Sequence, residues 1–162
     1  MSITYPKEEI EAIRRILIED QKTLAVAESV TAGLLQGAFS QATDARLFFQ
    51  GGITAFNVAQ KCRHLLVEPI HALEHNGVSP KTTNQMAEEV ARMFCSQIGV
   101  AVVGYAAPVP EKKIDSPHAY YAIYAEGRLL ETTRIEGEGT PLQVQLYYVK
   151  AIISALHRLL IK

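Results

Sequence analysis

Ser29, Thr31 and Gly33 fall within six residues, Glu28-Ser29-Val30-Thr31-Ala32-Gly33, between the apolar run Leu24-Ala25-Val26-Ala27 and the segment Leu34-Leu35-Gln36-Gly37-Ala38-Phe39. The pattern predicts a strand, a hydroxyl-rich turn and a helix. The first backbone N–H groups of a helix lack intrahelical partners and carry partial positive charge. Such a start suits an anion, phosphate above all. Ser29 and Thr31 would add hydroxyl donors, and Gly33 would let a ligand approach the backbone. Serine and threonine are also favoured helix caps, so the hexapeptide by itself is compatible with either role.

The surrounding sequence predicts the frame that holds this turn. Ile10, Ile13, Leu17 and Ile18 recur at helical spacing after Glu8-Glu9, giving an opening helix over about 7–20. A strand over 23–27, a helix over 31–42 and a strand over 48–56 follow. Asn57 then caps a short helix to about residue 65 that carries Lys61 and Cys62, with a further helical turn near 71–74. Ser79-Pro80 is a cap followed by proline at the first helical position. That helix carries an apolar stripe of Met86, Val90, Met93, Phe94 and Ile98, and Gly99 is expected to end it. The apolar run at 100–103 predicts a strand buried on both faces. A polar, proline-bearing loop occupies 109–117. Strands at 119–125 and 129–135 flank the turn signal Glu126-Gly127. Thr140-Pro141 opens a last helix with Leu142, Leu146, Val149, Ile152, Ile153 and Leu156 expected inward. The expected fold is α/β, a three-layer α/β/α sandwich with a mixed β-sheet, in a single domain over 1–162.

In open α/β sheets, ligands lie beyond the carboxyl ends of the strands. The Glu28 turn, the segment 56–61 and the Gly104 turn all end strands, and their meeting point is the expected pocket.

Sixteen basic and seventeen acidic residues give a net charge of -1. A nucleic-acid binder ordinarily shows a basic surface, so no nucleic-acid partner is expected. No apolar run approaches the roughly 20 residues of a membrane helix, and the N-terminal residues lack a signal-peptide pattern. A cytoplasmic location without a membrane partner is therefore expected. Cys62 and Cys95, both expected in helices, lack metal-ligand spacing and read as reduced, packed thiols. His71 and His75 are four apart but lack a third ligand. No metal and no cofactor are expected.

Four segments in register resemble the CinA C-terminal domain family, whose enzymatic members are nicotinamide mononucleotide deamidases. Glu28-Ser29-Val30-Thr31-Ala32-Gly33 resembles its Glu-Ser-x-Thr-small-Gly signature. The run from Gly51-Gly52 through Thr54-Ala55-Phe56-Asn57 to Lys61 resembles its Gly-Gly-Val-x-Ala-Tyr-Ser-Asn-x-x-Lys segment. Asn76-Gly77-Val78-Ser79 resembles Gly-Ala-Val-Ser, and Gly104-Tyr105-Ala106-Ala107-Pro108 resembles Gly-Ile-Ala-Gly-Pro. The resemblance spans almost the whole chain. It implies a nucleotide-like small-molecule ligand near Glu28, Ser29, Thr31, Gly33, Thr54, Gly104 and Ala106, and a homodimer.

The resemblance also implies carboxamide hydrolysis by a Ser/Lys pair helped by a tyrosine. Lys61 stands at the family lysine. Counting back from Gly51 puts Arg46 at the serine of a Gly-Ser-Ser run, and arginine stays protonated. Phe56 stands at the tyrosine and lacks its hydroxyl, and Gly139 stands at about the position of a family arginine. A glycine-rich family loop becomes Val109-Pro110-Glu111-Lys112-Lys113-Ile114-Asp115. The main expectation is a scaffold that has lost amidase chemistry while keeping a binding or structural role. The alternative is an active amidohydrolase in which Lys61 works with a relocated hydroxyl, Ser29 or Thr31 being the best replacements.

Overall fold

The computed structural model describes residues 2–161. A five-stranded sheet has the spatial order β2-β1-β3-β4-β5, built from β1 (Leu24–Glu28), β2 (Phe49–Thr54), β3 (Ile98–Gly104), β4 (His118–Ala125) and β5 (Arg128–Glu136). β1 pairs in parallel with both β2 and β3, and β4 pairs antiparallel with both β3 and β5. Among the described residues six α-helices complete the fold: α1 (Lys7–Glu19), α2 (Leu34–Ser40), α3 (Val58–Leu65), α4 (Pro69–Glu74), α5 (Pro80–Met93) and α6 (Pro141–Leu160).

The two-residue period of the strands sorts their side chains into two cores. Val26, Val100, Val102 and Ile123 face one side and pack with Ile13 and Leu17 of α1, Phe39 of α2, and Tyr148 and Ile152 of α6. Ala25, Ala27, Ala101 and Ala122 face the other, with Leu65 of α3, Ala72 of α4, and Met86 and Val90 of α5. This is the expected three-layer α/β/α arrangement with a mixed sheet. The alanines on the second face bring α5 close to the strands.

That closeness corrects the reading of Gly99. It does not end α5, which stops at Met93; it lies inside β3. A Cβ there would stand 2.0 Å from the Ala87 carbonyl oxygen and 2.9 Å from Ala91 Cβ. Gly99→Ala is expected to cost about 3 kcal/mol, since extra atoms in a packed layer force backbone movement. Urea denaturation checks this, and a loss of only a few tenths would mean that α5 can move aside freely.

Other boundaries also shift. Cys95 sits beyond α5 with φ 52, exposed rather than packed in a helix, and Ile98 belongs to β3 rather than to the helical stripe. Met93 of that stripe is 42% exposed. In the first half of α6 the buried residues are Val144, Tyr148 and Val149, with Leu142 and Leu146 only partly covered. α2 begins three residues later than expected, because the chain takes left-handed turns at Ala32 (φ 47) and Gly33 (φ 98). The caps follow the sequence closely. Asn57, Ser79 and Thr140 each accept a backbone N–H at the start of their helix. Glu126 and Gly127 both have positive φ, as a two-residue hairpin turn requires.

Candidate functional site

The parallel strands β1, β2 and β3 release the chain at the same edge of the sheet. There the segments after Glu28, Thr54 and Gly104 surround a cavity of about 380 Å³. The turn after β1 contributes Ser29 and Val30, and the Ser29 N–H donates to the Val102 carbonyl at 3.1 Å. β2 leads through Ala55, whose N–H donates to the Glu28 carbonyl at 2.9 Å, to Phe56 on the cavity edge. Asn57 then starts α3, which turns Lys61 inward. Asn76 and Val78 come from the turn between α4 and α5, Gly104 to Ala107 follow β3, and Gln145 comes from α6.

Lys61 is only 2% exposed. Burial penalises its ammonium and lowers its pKa from the ordinary 10.5 to about 8, with the neighbouring Cys62 acting weakly in the other direction. Among the described residues the ammonium has no hydrogen-bond or ion-pair partner, and no aspartate or glutamate lines the cavity. Gly77, at φ 72, passes beside it; a Cβ there would lie 3.1 Å from Lys61 Nζ.

The start of α2 is filled by the protein itself. Glu28 is fully buried, and its carboxylate accepts the N–H groups of Leu35 at 2.7 Å and Gln36 at 3.0 Å and the hydroxyl of Thr31 at 2.6 Å. The anion expected at this helix start is thus the chain's own side chain. Glu28, Thr31 and Gly33 do not line the cavity. Thr54 is exposed and accepts from the Gln36 amide at 3.3 Å. Ser29, Phe56, Lys61, Gly104 and Ala106 do line it. Ser29 Oγ donates at the distance limit, 3.5 Å, to the Phe56 carbonyl.

Arg46 lies in a short 3-10 turn, Ala45–Leu47, exposed and ahead of β2. Lys61 follows the other end of that strand, so the six residues of β2 separate the two by roughly 20 Å of extended chain. The position inferred for the lost serine therefore does not reach this chain's cavity.

Two residues not singled out by sequence, Tyr105 and Gln145, complete the wall. Burial raises the Tyr105 pKa, opposed by a hydrogen bond with the Asn76 side chain. The Tyr148 hydroxyl donates to the Tyr105 carbonyl at 2.9 Å, and Gln145 Nε2 donates to the Val30 carbonyl at 2.8 Å. A tyrosine directly after a buried strand was the available signal for the first. Gln145 reaches the site only through helix packing and left no local signal. The proline-bearing loop folds into a second 3-10 turn, Pro110–Lys112, bringing exposed Lys112 to the cavity edge. His71 and His75 stack at 4.0 Å, and His71 Nε2 hydrogen-bonds Ser79 Oγ at 2.8 Å. No cluster of three metal-ligating side chains occurs among the described residues. Nor is any helix there long and apolar enough to cross a membrane.

Comparison with known proteins agrees with this architecture. The family model of the CinA C-terminal domain matches residues 7–160. A CinA-like protein of Endomicrobium trichonymphae is 26% identical over 147 residues, which are 91% of this chain and 34% of that protein. A CinA-like protein of Amoebophilus asiaticus (strain 5a2) is 35% identical over 98 residues, 60% of this chain and 24% of that protein. The matched segment thus spans a quarter to a third of these curated relatives. The crystal structure of a competence-damaged protein (CinA) superfamily protein from Enterobacter cloacae superposes with a TM-score of 0.91 at 25% identity, covering 99% of this chain and 95% of that one. The corresponding structure from Klebsiella pneumoniae 700603 gives 0.90 at 26% identity, covering 97% and 98%. The chain belongs to the CinA C-terminal domain family.

Proposed function

We propose that the cavity is an amidohydrolase site in which Lys61 is the base and Ser29 the nucleophile, acting on the carboxamide of a nicotinamide-nucleotide-like molecule. One observation carries this reading: Ser29 and Lys61 line the same cavity, and the lysine is buried there without a partner. The residue is buried while its amine meets the cavity, and partial desolvation with no counter-charge disfavours the ammonium. A pKa near working pH is what a general base needs.

In this scheme neutral Lys61 takes the Ser29 hydroxyl proton while Oγ attacks the amide carbon. The tetrahedral adduct collapses as the proton passes to the departing nitrogen, which leaves as ammonia. Water, deprotonated the same way, then releases the carboxylate and restores Ser29. The Ser29 hydroxyl must first leave the Phe56 carbonyl, a contact already at the hydrogen-bond limit. Catalytic hydrogen bonds often tighten only once substrate is bound.

The substitutions that argued against activity weigh less in this geometry. Arg46 lies beyond the far end of β2 and removes no group from the cavity. Phe56 lacks a hydroxyl, but Tyr105 brings a phenol to the same wall. Thr31, the other candidate nucleophile, commits its hydroxyl to Glu28. Lys112 and the absence of carboxylates in the lining suit an anionic substrate.

Purified protein is expected to release ammonia from nicotinamide mononucleotide. Ser29→Ala and Lys61→Ala should each lower the rate by about 10²–10⁴-fold. The second reading, binding without turnover, is favoured by the lack of a direct hydrogen bond between Ser29 and Lys61. Under it, the nucleotide raises the melting temperature and no ammonia appears. The homodimer implied by the resemblance and the cytoplasmic location expected from the sequence belong to the same proposal, and gel filtration tests the first.

A further inference from the structure

We propose that Lys61 is also a nucleophile in its own right, forming a reversible imine with a small anionic aldehyde or 2-oxo acid held in the same cavity. The inference rests on the cavity and the readily deprotonated amine of the reading above, but it does not require Ser29.

The geometry around Nζ carries it. Amines add to carbonyls only when neutral and only where a carbonyl carbon can approach. Burial lowers the Lys61 pKa, and no carboxylate among the described residues holds its proton. Gly77 keeps the adjoining backbone slim; a side chain there would press on Nζ at 3.1 Å. A cavity of about 380 Å³ admits a small acid. Its charged lining groups are Lys61 and, at the edge, Lys112. An anionic carbonyl compound can set its carboxylate toward Lys112 and its carbonyl toward Lys61.

The step balances without an oxidant. Neutral Nζ adds to the carbonyl carbon, and a proton moves from nitrogen to oxygen to give a carbinolamine. The nitrogen lone pair then expels that oxygen as water and leaves a C=N bond. The Tyr105 hydroxyl, bonded with Asn76, lies in the same wall and can hand over the proton that the departing oxygen needs.

The test uses the whole chain, glyoxylate as the anionic probe and glycolaldehyde as the neutral one. Sodium cyanoborohydride fixes any imine, and peptide mass mapping locates it. At neutral pH the label is expected on Lys61 at about tenfold or more over any other lysine, because ordinary lysines remain protonated. Glyoxylate should label better than glycolaldehyde, and Lys112→Ala should erase that preference. Lys61→Met should remove the label. Ser29→Ala, which takes away the amidase nucleophile, should keep it. Label spread over surface lysines, label retained in Lys61→Met, or equal labelling by the two aldehydes overturns the inference. If ammonia release depends on Lys61 but no label forms, this inference alone falls. If the label forms and no ammonia is released, only the amidase reading falls.

Discussion

Lys61→Met will raise the unfolding free energy at pH 7 by about 3 kcal/mol, the equivalent of moving a pKa from 10.5 to about 8. Methionine has a similar length and no charge to desolvate, so the buried site loses its penalty and keeps its packing. The gain will depend on pH in a definite direction. Between about 8 and 10.5 the unfolded chain holds a proton on Lys61 that the folded chain has released. Native stability therefore rises with pH across that window. The advantage of Lys61→Met is full below pH 8 and fades as pH approaches 10.5. Cys62, Tyr105 and Lys112 are the other titratable groups around the amine, and all three remain in both proteins. The difference between the two proteins therefore reports Lys61. Urea melts of both proteins at pH 7 and pH 10 decide the matter, and an equal difference at both values refutes it. The same substitution abolishes ammonia release under the proposed chemistry. A variant both more stable and inactive is what a functional site maintained at a cost to stability predicts.

Glu28→Ala is expected to lose about 4 kcal/mol, because it leaves two backbone N–H groups and the Thr31 hydroxyl without their acceptor in the interior. α2 has only seven residues, too short to hold itself together by propensity. Its first turn depends on that carboxylate, which also complements the positive end of the helix. Glu28→Gln keeps the shape and one acceptor oxygen, and should lose about half as much. Hydrogen exchange at Leu35 and Gln36 offers a direct check: their amides should lose protection first in both variants. Unchanged protection in Glu28→Ala would mean that the helix start has another source of acceptors. Because Ser29 is the next residue, loosening this turn should also reduce ammonia release.

Local chemistry made most of the frame legible. Asn57, Ser79-Pro80 and Thr140-Pro141 announce helix starts because a side-chain acceptor and a missing N–H are properties of one or two residues. Glu126-Gly127 announces a hairpin for the same reason, since the backbone angles are set within the turn. Gly99 was misread because its role is not local. It needs no side chain so that Ala87 and Ala91 can press on β3, and those partners lie eight to twelve residues away in sequence on another element. Leu142 and Leu146 were expected inward from periodicity, yet the sheet and neighbouring helices select Val144 and Tyr148. An apolar stripe marks a face only to within the width of a side chain.

The site divides in the same way. The strand ends, the Asn57 cap and the lysine one turn later are written in the chain, and they dictate that Lys61 lies near the mouth of β2. Its value as a reactive group depends on what surrounds it, and that was decided in three dimensions. Only the assembled layers bury the amine, place Gly77 beside it and keep carboxylates out of the lining. Glu28 reads as a ligand group until its own helix is seen to occupy it, and Arg46 reads as a neighbour of Lys61 until β2 is seen to stand between them. Spacing along a chain governs hydrogen bonds within a turn, whereas desolvation and approach distance depend on residues far apart in sequence.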